Sequence, residues 1–166
     1  MNFKKYVLFI FLNIVILSQS FGEDTKIFVG EWVTNCSDST NDNQKICVLQ
    51  RTMYVDKDLK KKLVTMGIQT KSSSNEIRFN LISPLGSLIQ AGVRINFDEI
   101  PLSKKAFAFH VCERNGCITS IKFEKKILEK FKKAKSLNLE YVSRDNQKIS
   151  IKISLAGFSK AYKSLN

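Results

Sequence analysis

The sequence has one histidine, His110, one tryptophan, Trp32, and only five arginines among its 27 basic residues. A single histidine excludes a histidine-rich metal centre, and a catalytic imidazole would need partners that the pattern does not supply. There is no Gly-rich phosphate loop, no HExxH and no Gly-x-Ser-x-Gly. The cysteines at 36, 47, 112 and 117 do not form the Cys-x2-Cys of a thiol reductase. Nothing positive supports an enzyme, and neither cofactor nor metal is expected.

The scarcity of arginine bears on partners. Phosphate and base-edge recognition enlists the planar guanidinium fork, whereas 22 of the basic residues here are lysine. Without interleaved exposed aromatics, nucleic acid is not an expected partner. An apolar run of bilayer-spanning length is also missing. The longest, 7–17, is broken by Asn13 and offers about 11 residues where about 20 are needed. Lys4 and Lys5 precede it, and Ser18, Gln19 and Ser20 follow. This is the layout of a secretory signal, cleaved after Ser20 or Gly22. The expected division is therefore a signal peptide at 1–22 and a single domain at 23–166, large enough for a real core.

Four cysteines in an exported chain read as disulfides rather than as thiolates for metal or catalysis. Three pairings are possible. The simplest is local, Cys36–Cys47 and Cys112–Cys117, closing loops that a chain-entropy model values at about 3 and 2 kcal/mol. Long-range bridges would be worth more in that model, so only the geometry of adjacent strands favours the local pairs. No repeat, low-complexity tract or linker divides the domain.

Short β-rich segments follow one another at regular spacing. They lie at 27–36, 44–55, 63–70, 76–82, 93–97, 106–113, 117–123, 137–143 and 148–155. Ile77, Phe79 and Leu81 alternate with Arg78 and Asn80, as in a half-buried strand. Pro84 breaks the pairing after the fourth strand. Asn115-Gly116 is expected to turn the chain between Cys112 and Cys117. His110 reads as a structural or surface residue. Asp98 and Glu99, neighbours at a strand end, should point to opposite faces.

The period changes at 124–135, where Ile127, Leu128, Phe131 and Ala134 recur at helical spacing. A terminal helical turn at 157–165 would rest Phe158, Tyr162 and Leu165 on the core. Nine strands without a βαβ rhythm point to an all-β antiparallel sandwich, with Trp32 and Phe158 as core anchors.

The net charge of +12 falls to +10 when Lys4 and Lys5 leave. Its densest feature is the polar face of the helix: Lys125, Lys126, Lys130, Lys132 and Lys133, a possible anion-binding set. An anionic lipid headgroup, a glycan or an acidic envelope protein would suit it. A solvated face, or a compositional bias toward lysine, would produce the same pattern.

Four motifs in order carry a family resemblance: Glu31-Trp32-Val33 with Cys36 and Cys47; Pro84-Leu85-Gly86 with Gly92; Cys112-x3-Gly116-Cys117; and Ser154-Leu155-Ala156-Gly157-Phe158-x2-Ala161. Together, over 28–165, the chain resembles the invasion-associated locus B family of exported alphaproteobacterial proteins. The resemblance implies an immunoglobulin-like β-sandwich in the periplasm or associated with the outer envelope. It carries over no catalytic residue. It favours a binding or accessory module, with a surface-exposed adhesin or invasion factor as the alternative.

Overall fold

The computed structural model describes residues 27–38, 45–72 and 74–165. The predicted signal segment at 1–22, the start of the predicted domain and most of the polar loop at 37–43 lie outside these residues. Among them are eleven strands in two antiparallel sheets: β1 Phe28–Val29, β2 Val33–Asp38, β3 Lys45–Tyr54, β4 Lys62–Lys71, β5 Ser74–Ser83, β6 Val93–Phe97, β7 Ile100–Pro101, β8 Val111–Glu113, β9 Gly116–Phe123, β10 Ser136–Val142 and β11 Lys148–Ser154. Helix α1, Lys125–Lys133, links the sheets, and a short helix α2, Phe158–Tyr162, closes the chain with a 3-10 turn at Lys163–Leu165.

The larger sheet runs β1-β3-β4-β5-β9-β8, with β2 following β1 along the same edge of β3; the smaller runs β11-β10-β6-β7. Period-2 patterning explains the stacking. Leu49, Met53, Met66, Ile68, Phe79 and Leu81 of one sheet meet Val93, Ile95, Leu137, Leu139, Ile151 and Ile153 of the other, all essentially without solvent exposure. The expected antiparallel β-sandwich, with its amphipathic helix and terminal helical turn, is the observed architecture.

Three segments depart from the sequence expectation. The first predicted strand is two strands, because Gly30, Glu31 and Trp32 stand opposite only Arg51 and Thr52 of β3. One extra residue forces a bulge-like break there. Trp32 consequently sits half-buried at the rim instead of inside the core.

The second departure is at 106–113, which is not one strand. Phe107 bridges Val93 of the smaller sheet, while Val111–Glu113 pairs with β9 of the larger. Between them His110 N–H already donates to the Ile118 carbonyl at 2.8 Å, so the chain changes sheets within three residues. Gly92 permits this crossing, since a Cβ at its φ of 64° would collide with the Phe107 carbonyl oxygen.

The third departure is the disulfide hairpin, which turns at Arg114 and Asn115, one residue earlier than expected. Gly116 pairs with Glu113, and its φ of 131° brings it against the Ser83 carbonyl of β5, where no side chain fits.

Cysteine pairing follows from register. Cys36 lies directly opposite Cys47, and Cys112 directly opposite Cys117; both pairs are bridged, with Cα separations of 4.1 and 3.9 Å. The local pairing expected from the sequence is thus the one observed.

Candidate functional site

The end of the sandwich that carries α1 and α2 gathers a run of lysines and a cluster of aromatic side chains. Phe131, only 1% exposed, projects from α1 into a ring of four phenylalanines. Its centroid is 4.4 Å from Phe158, 5.4 Å from Phe97, 5.7 Å from Phe79 and 5.9 Å from Phe123. Both sheets and α2 therefore meet on one side chain of α1. Leu128 is buried beside it, and Ile127 and Ala134 pack at the margin. The apolar stripe read from the sequence is the buried face.

The lysines divide. Lys125, Lys126, Lys130 and Lys133 are exposed along the opposite face. Lys132 is turned back: its Nζ donates to Glu129 at 2.8 Å and lies 4.8 Å from the centre of the Tyr162 ring. That hydrogen bond holds the Glu129 carboxyl below its ordinary value. Burial pushes the Tyr162 phenol up, against the opposing charge of Lys132. Ser159 Oγ donates to the Lys132 carbonyl at 2.8 Å and docks α2 on α1. Lys132 thus belongs to the joint between the helices, and the free cationic face is the other four.

The exit of α1 is held by Asp98. Its carboxylate accepts from the amides of Lys135, at 3.0 Å, and Ser136, at 2.8 Å, and from the Ser136 hydroxyl at 3.1 Å. These backbone donors hold its pKa below the ordinary carboxylate value. Strand β6 ends at Phe97, so Asp98 and Glu99, with φ of 43° and 72°, form the tight turn into β7 instead of occupying alternate faces of a strand. That use of Asp98 is structural.

Sequence reasoning missed the rim cluster around Trp32. The Arg51 guanidinium lies 4.6 Å from the centre of the Trp32 ring and donates to the Ser154 carbonyl at 2.7 Å. Burial lowers the Arg51 pKa. Trp32 Nε1 donates to the Ala156 carbonyl at 3.0 Å, and its ring packs 5.1 Å from Phe158. The first and last of the four sequence motifs therefore meet here, which explains why Trp32 and the 154–158 segment belong to one pattern.

His110 is exposed, and its Nδ1 accepts from the Ser120 amide at 3.3 Å. Among the described residues no group of three or more His, Cys, Asp or Glu is placed to hold a metal, and no helix is long and apolar enough to cross a membrane.

Residues 32–166 match the family model described as invasion associated locus B (IalB) protein. The chain is also similar to the crystal structure of invasion associated protein B from Bartonella henselae, with 25% sequence identity and a TM-score of 0.67, covering 83% of this chain and 92% of that one. A search of curated proteins finds no match.

Proposed function

The chain belongs to the invasion associated locus B family, and from that membership we propose an exported, non-enzymatic binding or accessory module of the periplasm or outer envelope. The observation that carries this reading is the cationic helical end. Lys125, Lys126, Lys130 and Lys133 face solvent on a helix whose other face is fixed by Phe131. A rigid basic face of this kind suits an acidic envelope protein, an anionic lipid headgroup or a glycan. Two disulfides agree with an oxidising compartment. The non-enzymatic part is supported by the uses already made of the reactive side chains, since the cysteines are bridged and Asp98 holds backbone amides. In-cell cross-linking tests the module reading. A discrete envelope partner should be captured, and replacing Lys126, Lys130 and Lys133 by glutamine should remove it; capture that is indifferent to those lysines and to salt would count against the basic face.

A second reading, a surface-exposed adhesin or invasion factor, is favoured by the name of the Bartonella henselae relative. It expects purified protein to bind host cells. Binding no stronger than that of an unrelated basic β-sandwich would end it.

A further inference from the structure

The end of the sandwich opposite α1 combines exposed apolar side chains with a basic rim. It gathers four connections: 55–61 between β3 and β4, 84–92 between β5 and β6, 114–115 between β8 and β9, and 143–147 between β10 and β11. Two of them carry large aliphatic side chains into solvent. Leu59 is 46% exposed, Leu85 59% and Ile89 58%. One exposed leucine needs no explanation. Three on neighbouring loops do, because the backbone that carries them is fixed.

Leu59 has a φ of 55°, a left-handed conformation that a leucine adopts only at a cost. Asp56 holds it there, accepting from the amides of Lys60 at 3.0 Å and Lys61 at 2.9 Å. The 84–92 loop is tied to the turn after β10. The Leu88 amide donates to the Val142 carbonyl and the Arg144 amide to the Gly86 carbonyl, both at 2.7 Å. Ser87 Oγ closes the loop on the Pro84 carbonyl at 2.9 Å. Apolar area kept in water at the expense of backbone strain marks an interaction surface.

The charge around these side chains is predominantly positive. Lys60, Lys62 and Arg114 line a groove of about 390 Å3 together with Pro84, the chain neighbour of Leu85. Arg144 adjoins Gly86, and Lys148 opens β11 opposite Val142. Among the described residues Lys62, Arg114 and Lys148 have no ion-pair partner. The acidic residues of the connections are fewer and already engaged. Asp56 holds its own loop, Asp58 lies 4.0 Å from Lys60, and Asp145 lies 3.7 Å from Arg144. The 84–92 loop itself carries no charge.

We infer that this end docks on an anionic lipid bilayer, with Leu59, Leu85 and Ile89 entering the boundary between headgroups and acyl chains and the basic rim meeting the lipid phosphates. A protein partner needs one continuous complementary face. A fluid bilayer instead receives aliphatic side chains from separate loops one by one, and anionic headgroups add attraction for each lysine or arginine at the surface. The stems of Lys60 and Lys62 can lie along the boundary while their charges stay at the phosphates. This surface does not include the basic face of α1, and the inference does not rest on that face. Docked this way, the protein would turn α1 away from the bilayer.

Co-sedimentation of the disulfide-bonded mature chain with phosphatidylcholine vesicles, with and without phosphatidylglycerol, tests it. The wild type should pellet with the phosphatidylglycerol vesicles and far less with phosphatidylcholine alone. L59N/L85S/I89S and K60Q/K62Q/R114Q should each lower partitioning about tenfold or more, while K126Q/K130Q/K133Q stays within about twofold. The exchanged side chains are exposed, so the variants should fold; asparagine tolerates the left-handed region, and L59N alone should melt no lower than the wild type. Loss confined to the α1 variant, binding indifferent to the three aliphatic residues, or no capture of anionic vesicles would overturn the inference. A discrete acidic protein cross-linked from position 85, without vesicle capture, would overturn it in favour of a protein partner. Each of these leaves the envelope-module reading to its own cross-linking test.

Discussion

Replacing Phe131 by alanine should do more damage than any other single truncation at the helical end. The side chain is 1% exposed and has four phenylalanine neighbours with centroids between 4.4 and 5.9 Å away. Truncating a buried phenylalanine costs about 3–5 kcal/mol, and each aromatic pair adds about 0.5–1.5 kcal/mol beyond its buried area. The upper part of the range is expected, because the neighbours belong to two sheets and a second helix and cannot all collapse into the cavity. Domains are stable by only about 5–15 kcal/mol, so the loss is a large share of the total. At about 2–4 °C per kcal/mol for a domain of this size, the melting temperature should fall by about 6–20 °C. Thermal unfolding followed by far-UV circular dichroism, with the disulfides intact, measures it. F131L, which keeps most of the volume, should fall well short of that loss. An F131A protein that melts within about 2 °C of the wild type would refute the idea that this ring joins the helical end to the sandwich.

Other expectations are smaller. Changing Cys112 and Cys117 together to serine should cost about 2 kcal/mol without abolishing the fold, and the Cys36/Cys47 pair about 3 kcal/mol; an unchanged denaturant midpoint would contradict the constraint. Asp98 has a depressed folded pKa, so its contribution is fully present above its ordinary value of 3.8 and is lost as pH falls through the lower folded value. D98N should therefore be less stable near neutrality and lose less stability than the wild type on acidification below about pH 4, as pH-dependent melting would reveal. W32F removes the donor to Ala156 and should cost about 0.5–1.5 kcal/mol. Its effect should be non-additive with R51M, because the two side chains are in contact; strict additivity in a double-mutant cycle would break the proposed rim cluster.

What the sequence made legible was set by periodicity. Alternation in β5, β6 and β10, and the change of period at α1, come from burial on one face, which leaves a mark in every second or every third to fourth residue. The breaks were not legible because their causes are distant. Gly30–Trp32 interrupts the first strand through a register mismatch with β3. Segment 106–113 keeps an alternating pattern while it crosses between sheets, since both sheets bury the same kind of residue. The hairpin turn falls on Arg114 and Asn115 because Gly116 is needed against Ser83, a contact about thirty residues away in sequence. At the site, the helical lysine face was visible, but its division was not. Lys132 is drawn to Tyr162 of α2, a tertiary neighbour that spacing along α1 does not encode. Arg51 continues the alternation of β3 in sequence, and its contacts with Trp32 and Ser154 come from segments distant along the chain.

The central claim, an exported module working inside the envelope, is tested most directly by fractionating the native host and shaving intact cells with protease before blotting. The account predicts a processed protein in the periplasmic fraction that resists protease until the outer membrane is opened. Retention of an unprocessed chain in the cytoplasm would contradict export, and removal from intact cells would contradict the periplasmic module in favour of the surface-exposed reading.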